Sequence, residues 1–127
     1  MTERVIQVFL MVSDVERSRA FYEEGLGLET VETGDRSATF ETGGCQIVVE
    51  EDFDAETLAG FGLEPPGDRR GDGAIVVLEV DDVEAKHGRV DEYGAEVLTP
   101  PRVVDWGRKL FLVRDPDGYV LEVSRPT

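Results

Sequence analysis

The chain has 127 residues, 40% of them hydrophobic, which is the size and composition of one globular domain with a real core. Twenty-eight acidic against 13 basic residues leave a formal charge of −15. So acidic a chain excludes nucleic acid and anionic membrane surfaces as partners, because binding them rests on Lys and Arg neutralising phosphate.

Several further classes drop out. No stretch approaches the roughly 18 apolar residues of a membrane helix. Met1-Thr2-Glu3-Arg4 lacks a basic region leading into an apolar one, so no secretory leader is expected and the cytoplasm is the expected location. Cys45, the one cysteine, lies in an apolar strand pattern and reads as a structural thiol. The basic set is 11 arginines and only Lys86 and Lys109, a balance that resembles proteins of halophilic organisms, where salt screens the self-repulsion.

Val5 to Val12 is apolar apart from Gln7 and reads as a buried strand. Ser13-Asp14 caps a helix whose face is Val15, Ser18, Phe21 and Tyr22, ended by Gly25 or Gly27. Leu28 to Thr33 and Ser37 to Glu41 are strands. Gly43-Gly44 is a hairpin turn into a further strand, Cys45 to Val49. Asp52 to Gly73 is rich in Pro, Gly and charge, and reads as a connector with a mobile middle and one helical turn at Ala55 to Ala59. Ala74 to Val80 is a strand, and a helix runs from Asp82 to Gly94. A strand beginning at Glu96 to Leu98 is limited to an edge or turn by Pro100-Pro101. Leu110 to Val113 and Tyr119 to Val123 are strands flanking the turn Asp115-Pro116-Asp117-Gly118. His87, the only histidine, falls on the second helix and reads as a surface residue.

The order β-α-β-β-β occurs twice, and the sequence repeats with it. Val12-Ser13-Asp14-Val15-Glu16 returns as Val80-Asp81-Asp82-Val83-Glu84, and Gly44-Cys45-Gln46-Ile47-Val48-Val49 as Gly118-Tyr119-Val120-Leu121-Glu122-Val123. The expected class is α+β, one domain over 1–127, with module one at 1–51, a connector at 52–73 and module two at 74–127. One helix covers one face of each sheet, and the free faces form a cup. Alternation puts Gln7, Phe9 and Met11 on the free face of the first strand and Val120, Glu122 and Ser124 on that of the last. Gln46, Val48, Ile75 and Val77 join that lining. Trp106 and Arg108 lie in the loop before the third strand of module two: the ring could stack on a planar ligand or pack in the core or at a dimer interface, and the cation could answer an acidic ligand or pair with a surface carboxylate.

Val8-Phe9-Leu10-Met11-Val12-Ser13-Asp14, followed by Arg17-Ser18-Arg19-Ala20-Phe21-Tyr22 and Leu26-Gly27-Leu28, resembles the opening of the vicinal oxygen chelate superfamily. That group includes glyoxalase I, bleomycin-resistance proteins and extradiol dioxygenases. Trp106-Gly107-Arg108, Phe111, Asp115-Pro116-Asp117-Gly118-Tyr119 and Leu121-Glu122 resemble its closing stretch. The resemblance implies paired βαβββ modules cupped around a ligand or metal, commonly in a homodimer. It also implies four metal-ligand positions, one on the first and one on the last strand of each module. Here they read Gln7, Val48, Ile75 and Glu122. Two are hydrocarbon, so no cofactor is expected, with a divalent metal held by Gln7 and Glu122 as the alternative. Glu50, on the face of Val48, is the one nearby residue that could add a ligand.

Three functions remain open. The first is binding of a small organic molecule in an apolar cup without the metal, with Gln7, Phe9, Gln46, Val48, Ile75, Trp106 and Arg108 as ligand contacts. The second is a metal-dependent lyase, isomerase, thiol transferase or dioxygenase with Glu122 as its catalytic carboxylate. The third is a regulatory or partner-binding subunit. Whether the modules pair within one chain or across a dimer is open; in the swapped form Gln7 would meet Glu122 of a second copy.

Overall fold

A computed structural model describes residues 3–127. Met1 and Thr2, part of the stretch read above for a leader, lie outside the described residues. The chain runs β1 (Gln7–Val12), α1 (Val15–Ala20), a π-helical turn (Phe21–Gly25), β2 (Glu29–Thr33), β3 (Ser37–Glu41), β4 (Gln46–Glu51), α2 (Ala55–Gly60), β5 (Ile75–Glu79), α3 (Val83–Tyr93), β6 (Glu96–Val104), β7 (Arg108–Arg114) and β8 (Val120–Pro126). These build two four-stranded sheets of the same topology, β1-β4-β3-β2 and β5-β8-β7-β6, each pairing its first and last strands in parallel. This is the duplicated βαβββ architecture.

Local chemistry explains the boundaries. Asp14 caps α1 by accepting from the backbone N–H groups of Glu16 and Arg17, and Asp82 does the same for α3 from Ala85. Gly94 ends α3 in the left-handed region at φ 94°, as a C-terminal glycine does. The first helix widens after Ala20 into the π turn, where the Leu26 N–H reaches the Phe21 carbonyl at 2.9 Å. Carbonyls left over there are met from module two: Lys86 Nζ donates to Leu26 O at 2.6 Å and Arg89 Nε to Glu24 O at 2.9 Å. β6 passes straight through Pro100-Pro101. Its edge position requires no N–H from the prolines on the open side, and its pairing with β7 shifts register on either side of Thr99.

The helix-covered faces of both sheets share one core. Val12, Phe21, Tyr22, Phe40 and Val49 of module one join Val83, Val90, Phe111, Val113 and Val123 of module two in a single buried cluster. Fully burying a side chain of this kind contributes about 1.5–3 kcal/mol, so this shared layer is what fixes the two modules together. The opposite faces remain open: Ile75 is 53% and Val77 56% exposed. The connector is anchored to both modules. Arg70 grips Asp52 with two hydrogen bonds of 2.7 and 3.0 Å and donates to Met11 O, while its own N–H reaches Asp117 O. No helix of the described residues is long and apolar enough to cross a membrane.

Candidate functional site: two half-cups

On the first sheet, pairing sets Gln7 beside Gln46, Phe9 beside Val48 and Met11 beside Glu50. β3 adds Thr39 against Val48 and Ser37 against Glu50. Since alternate residues share a face, these side chains form one wall. A cavity of about 380 Å³ opens on it, lined by Gln7, Phe9, Gln46, Val48 and Glu50, with Ser37, Thr39, Val31 and Glu32 around them. Gln46 is steadied by a 3.4 Å hydrogen bond from Nε2 to Glu41, whose carboxylate is held below its usual range chiefly by the Gly44 N–H.

The second sheet repeats the register, with Ile75 beside Val120, Val77 beside Glu122 and Leu112 across from Glu122. Its cavity, about 560 Å³, is lined by Ile75, Leu98, Leu112 and Val120 and by the chain from Gly71 to Ala74. The two walls differ in chemistry. Module one offers amides, hydroxyls and carboxylates around Phe9 and Val48, whereas module two offers mostly hydrocarbon. The expectation of an apolar cup therefore describes the second half only.

Each sequence-predicted residue has a definite place. Gln7, Phe9, Gln46 and Val48 meet in the first cavity and Ile75 lies in the second. Glu122 is half-buried on the second open face, with no hydrogen bond or ion pair among the described residues. Trp106 stands 67% exposed in the β6–β7 turn, away from both cavities. Arg108 turns to Glu79 Oε1 at 3.0 Å and to Ser124 Oγ at 2.9 Å. His87 packs edge-on to Phe111 at 5.2 Å between ring centroids. A wider concavity of about 800 Å³ lies over α3, but Lys86 and Arg89, its cations, are spent on the carbonyls of the π turn.

The registers also relate the four metal-ligand positions to one another. Gln7 and Ile75 each open the first strand of their sheet, and Val48 and Glu122 each occupy the third place of the last. The internal repeat thus equates Gln7 with Ile75 and Val48 with Glu122. Isopropyl and sec-butyl groups offer no lone pair, so the set is left with one amide and one carboxylate, short of the three protein ligands a catalytic zinc-type site uses, and does not fit such an ion. Among the described residues, no cluster of three or more His, Cys, Asp or Glu side chains is placed to hold one.

Sequence reasoning passed over Phe53 and Phe61. Both come from the connector, whose irregular pattern gives no periodicity to place a side chain. Phe53 lies against Phe9 with centroids 5.9 Å apart, and Phe61 lies 6.3 Å beyond Phe53.

Comparison with known proteins agrees with this geometry. The chain is 26% identical over 128 residues to the protein YraH of Bacillus subtilis, covering 96% of this chain and 98% of that one. It is similar in structure to TnmS3, an antibiotic binding protein from Streptomyces sp. CB03234, with 26% identity, a TM-score of 0.73 and coverage of 99% and 98% of the two chains. A glyoxalase-related enzyme from Fulvimarina pelagi shares the fold at 22% identity and a TM-score of 0.80, over 97% of this chain and 88% of that one. The family model of the Glyoxalase/Bleomycin resistance protein/Dioxygenase superfamily matches residues 4–123, nearly the full length, and the chain belongs to that superfamily.

Proposed function

We propose that the chain is a small-molecule-binding protein whose cup is assembled from the two open sheet faces, and that it works without the superfamily's metal. The observation that carries this reading is the pair of hydrocarbon side chains, Val48 and Ile75, at two of the four ligand positions, each beside a cavity or on its wall. The likeness to an antibiotic binding protein supports binding over chemistry.

Each half-cup has one wall. The first is lined by module one alone, and the second by module two with the end of the connector, Gly71 to Gly73. A homodimer that sets module one of one copy against module two of the other would close both at once, give two equal cups and cover Ile75 and Val77. In that arrangement Gln7, Phe9, Gln46 and Val48 face Ile75 and Glu122 of the second copy. The location is cytoplasmic on this reading, and the charge surplus is a host adaptation to salt.

The test is metal analysis and native mass spectrometry on protein purified without chelator. The expected result is a dimer with no stoichiometric metal. Stoichiometric Ni, Zn, Mn or Fe that disappears in Glu122→Ala would overturn the reading and favour a metal-dependent enzyme.

A further inference from the structure

Resting on that reading, we propose that the module-one half-cup selects an aromatic organic cation, with its ammonium charge at Glu50 and its ring on Phe9 and Phe53.

Three observations converge on Glu50. It lines the 380 Å³ cavity with Phe9, and it also lines a neighbouring cavity of about 250 Å³ with Phe53, so it forms their common wall. The rings on either side are close, with Phe9 and Phe53 at 5.9 Å and a 49° tilt, within the range of favourable aromatic pairs. Phe61 continues the series at 6.3 Å and is 71% exposed, so a ladder of ring faces leads from the cup to the surface.

Charge complementarity then fixes the sign of the occupant. The other carboxylates of the smaller cavity are occupied. Glu51 accepts from the Val15 N–H at 3.1 Å, Asp52 holds Arg70, and Asp54 caps α2 through the Thr57 N–H. Among the described residues, Arg36 is the only cation lining either cavity, and it is engaged with Glu51 at 3.8 Å and Asp52 O at 3.1 Å. Half-buried Glu50 has no hydrogen bond or ion pair among the described residues; Glu32, exposed at the rim, is the other carboxylate left over. An anion would meet two uncompensated carboxylates here. A cation at Glu50 would meet that carboxylate, with Phe9 in the cavity on one side of it and Phe53 in the cavity on the other, and a carboxylate with aromatic rings is the combination that recognises alkylammonium groups.

The test is a nitrogen-15 NMR titration of the full chain at physiological salt, with benzyltrimethylammonium, benzyl alcohol, benzoate and tetramethylammonium as probes. Benzyltrimethylammonium is expected to bind roughly tenfold tighter than benzyl alcohol, the size of a partly desolvated cation–π contact. Its shifts should centre on Phe9, Val48, Glu50 and Phe53, and benzoate should not bind. Glu50→Gln, a near-isosteric change at an unpartnered side chain, should erase the preference for the cation. Phe53→Ala should reduce benzyltrimethylammonium to the level of tetramethylammonium. Equal binding of the cationic and neutral rings, or a preference that survives Glu50→Gln, would overturn this proposal and leave the cup as a small-molecule site. No shift at Gln7, Gln46 or Val48 with any aromatic probe would overturn both.

Discussion

Tyr22 donates a 2.7 Å hydrogen bond to Asp115 across 93 residues of chain, with both side chains out of solvent. The other carboxylate oxygen of Asp115 accepts from the backbone N–H groups of Asp117 and Tyr119, so both oxygens have hydrogen-bond donors. Asp117 beside it accepts from Ser13 N and Oγ and lies 3.6 Å from Arg17 and 4.0 Å from Arg70. The turn Asp115–Gly118 is therefore both a hairpin of module two and a polar clamp on the start of α1. Tyr22→Phe would leave one buried carboxylate oxygen unmatched and is expected to cost about 1–3 kcal/mol in urea unfolding. A loss below about 0.5 kcal/mol would mean the bond contributes no net stability.

The same carboxylate gives a pH signature. Burial raises the Asp115 pKa above the ordinary carboxylate value, against the hydrogen bonds from Tyr22 and the backbone, which lower it. A folded value above the unfolded one means the folded state binds the proton more tightly. The stabilising contribution is then full below about pH 3.9 and is lost as pH rises through the raised folded value. The stability difference, wild type minus Asp115→Asn, should fall as pH increases through that window. In a Tyr22→Phe background the fall should move to higher pH, since a bond that lowers the pKa is gone. A difference that rises with pH would contradict the assignment.

Gly71 seats the connector against the same turn. Its φ is +86°, and a Cβ built there would lie 2.7 Å from Tyr119 Cδ1, on a ring whose hydroxyl donates to Met11 O at 2.8 Å. Gly43 has a similar φ of +91° with nothing within 4 Å of a built Cβ. Both Gly→Ala changes carry the left-handed backbone penalty of about 1–2 kcal/mol. Only Gly71→Ala adds the collision, so it should be the more destabilising in thermal melts. Equal losses would show that Tyr119 moves aside freely.

How much of this was legible in the sequence follows from where information is local. The duplicated segments carried the two sheets, because strand alternation and Asp caps are written in neighbouring residues, as at Asp14 and Asp82. The equivalence of Val48 with Glu122 was legible for the same reason, and the registers reproduce it. Other features depend on approach in space. Phe53 meets Phe9 only once the connector folds back, and nothing in Asp52-Phe53-Asp54 indicates which way the ring turns. The Tyr22–Asp115 bond joins helix to turn across the modules, so the Asp-Pro-Asp-Gly sequence reads as a turn alone. Arg108 could be read from sequence as a ligand contact or as the partner of a surface carboxylate, and which carboxylate it meets, Glu79 of its own sheet, depends on pairing between strands far apart in the chain.

The charge of −15 on 127 residues makes stability depend on screening. The Debye length shrinks from about 30 Å at 0.01 M salt to about 8 Å at 0.15 M, so repulsion among surface carboxylates fades most steeply over that range. The ion pairs of the described residues, such as Lys109–Glu84 and Arg19–Glu23, are largely at the surface and weaken as well. Acidic residues outnumber basic ones by more than two to one, so relief of repulsion is the larger effect. The melting temperature is expected to rise monotonically with NaCl, first steeply and then gently. A fall on adding salt would mean that the pairs outweigh the repulsion.

The missing donors can be restored. If the cup joins module one of one copy to module two of another, Gln7 and Val48 converge with Ile75 and Glu122 of the second copy. Val48→His with Ile75→His should then create a site of two imidazoles, one carboxylate and one amide, a set that suits zinc or nickel. Both positions tolerate the change, since Val48 is half-buried on a cavity wall and Ile75 is 53% exposed. At a metal concentration of about 100 times the dissociation constant, binding would stabilise the double variant by about 2.7 kcal/mol. Wild type should show no such gain, and neither single variant should match the double one. The gain should vanish on dilution below the dimer's dissociation, because each site draws on two copies. Metal binding that persists in a monomer would place both histidines in one chain's cup and overturn the swapped arrangement. Absence of any gain in a folded dimer would show that the four positions do not converge.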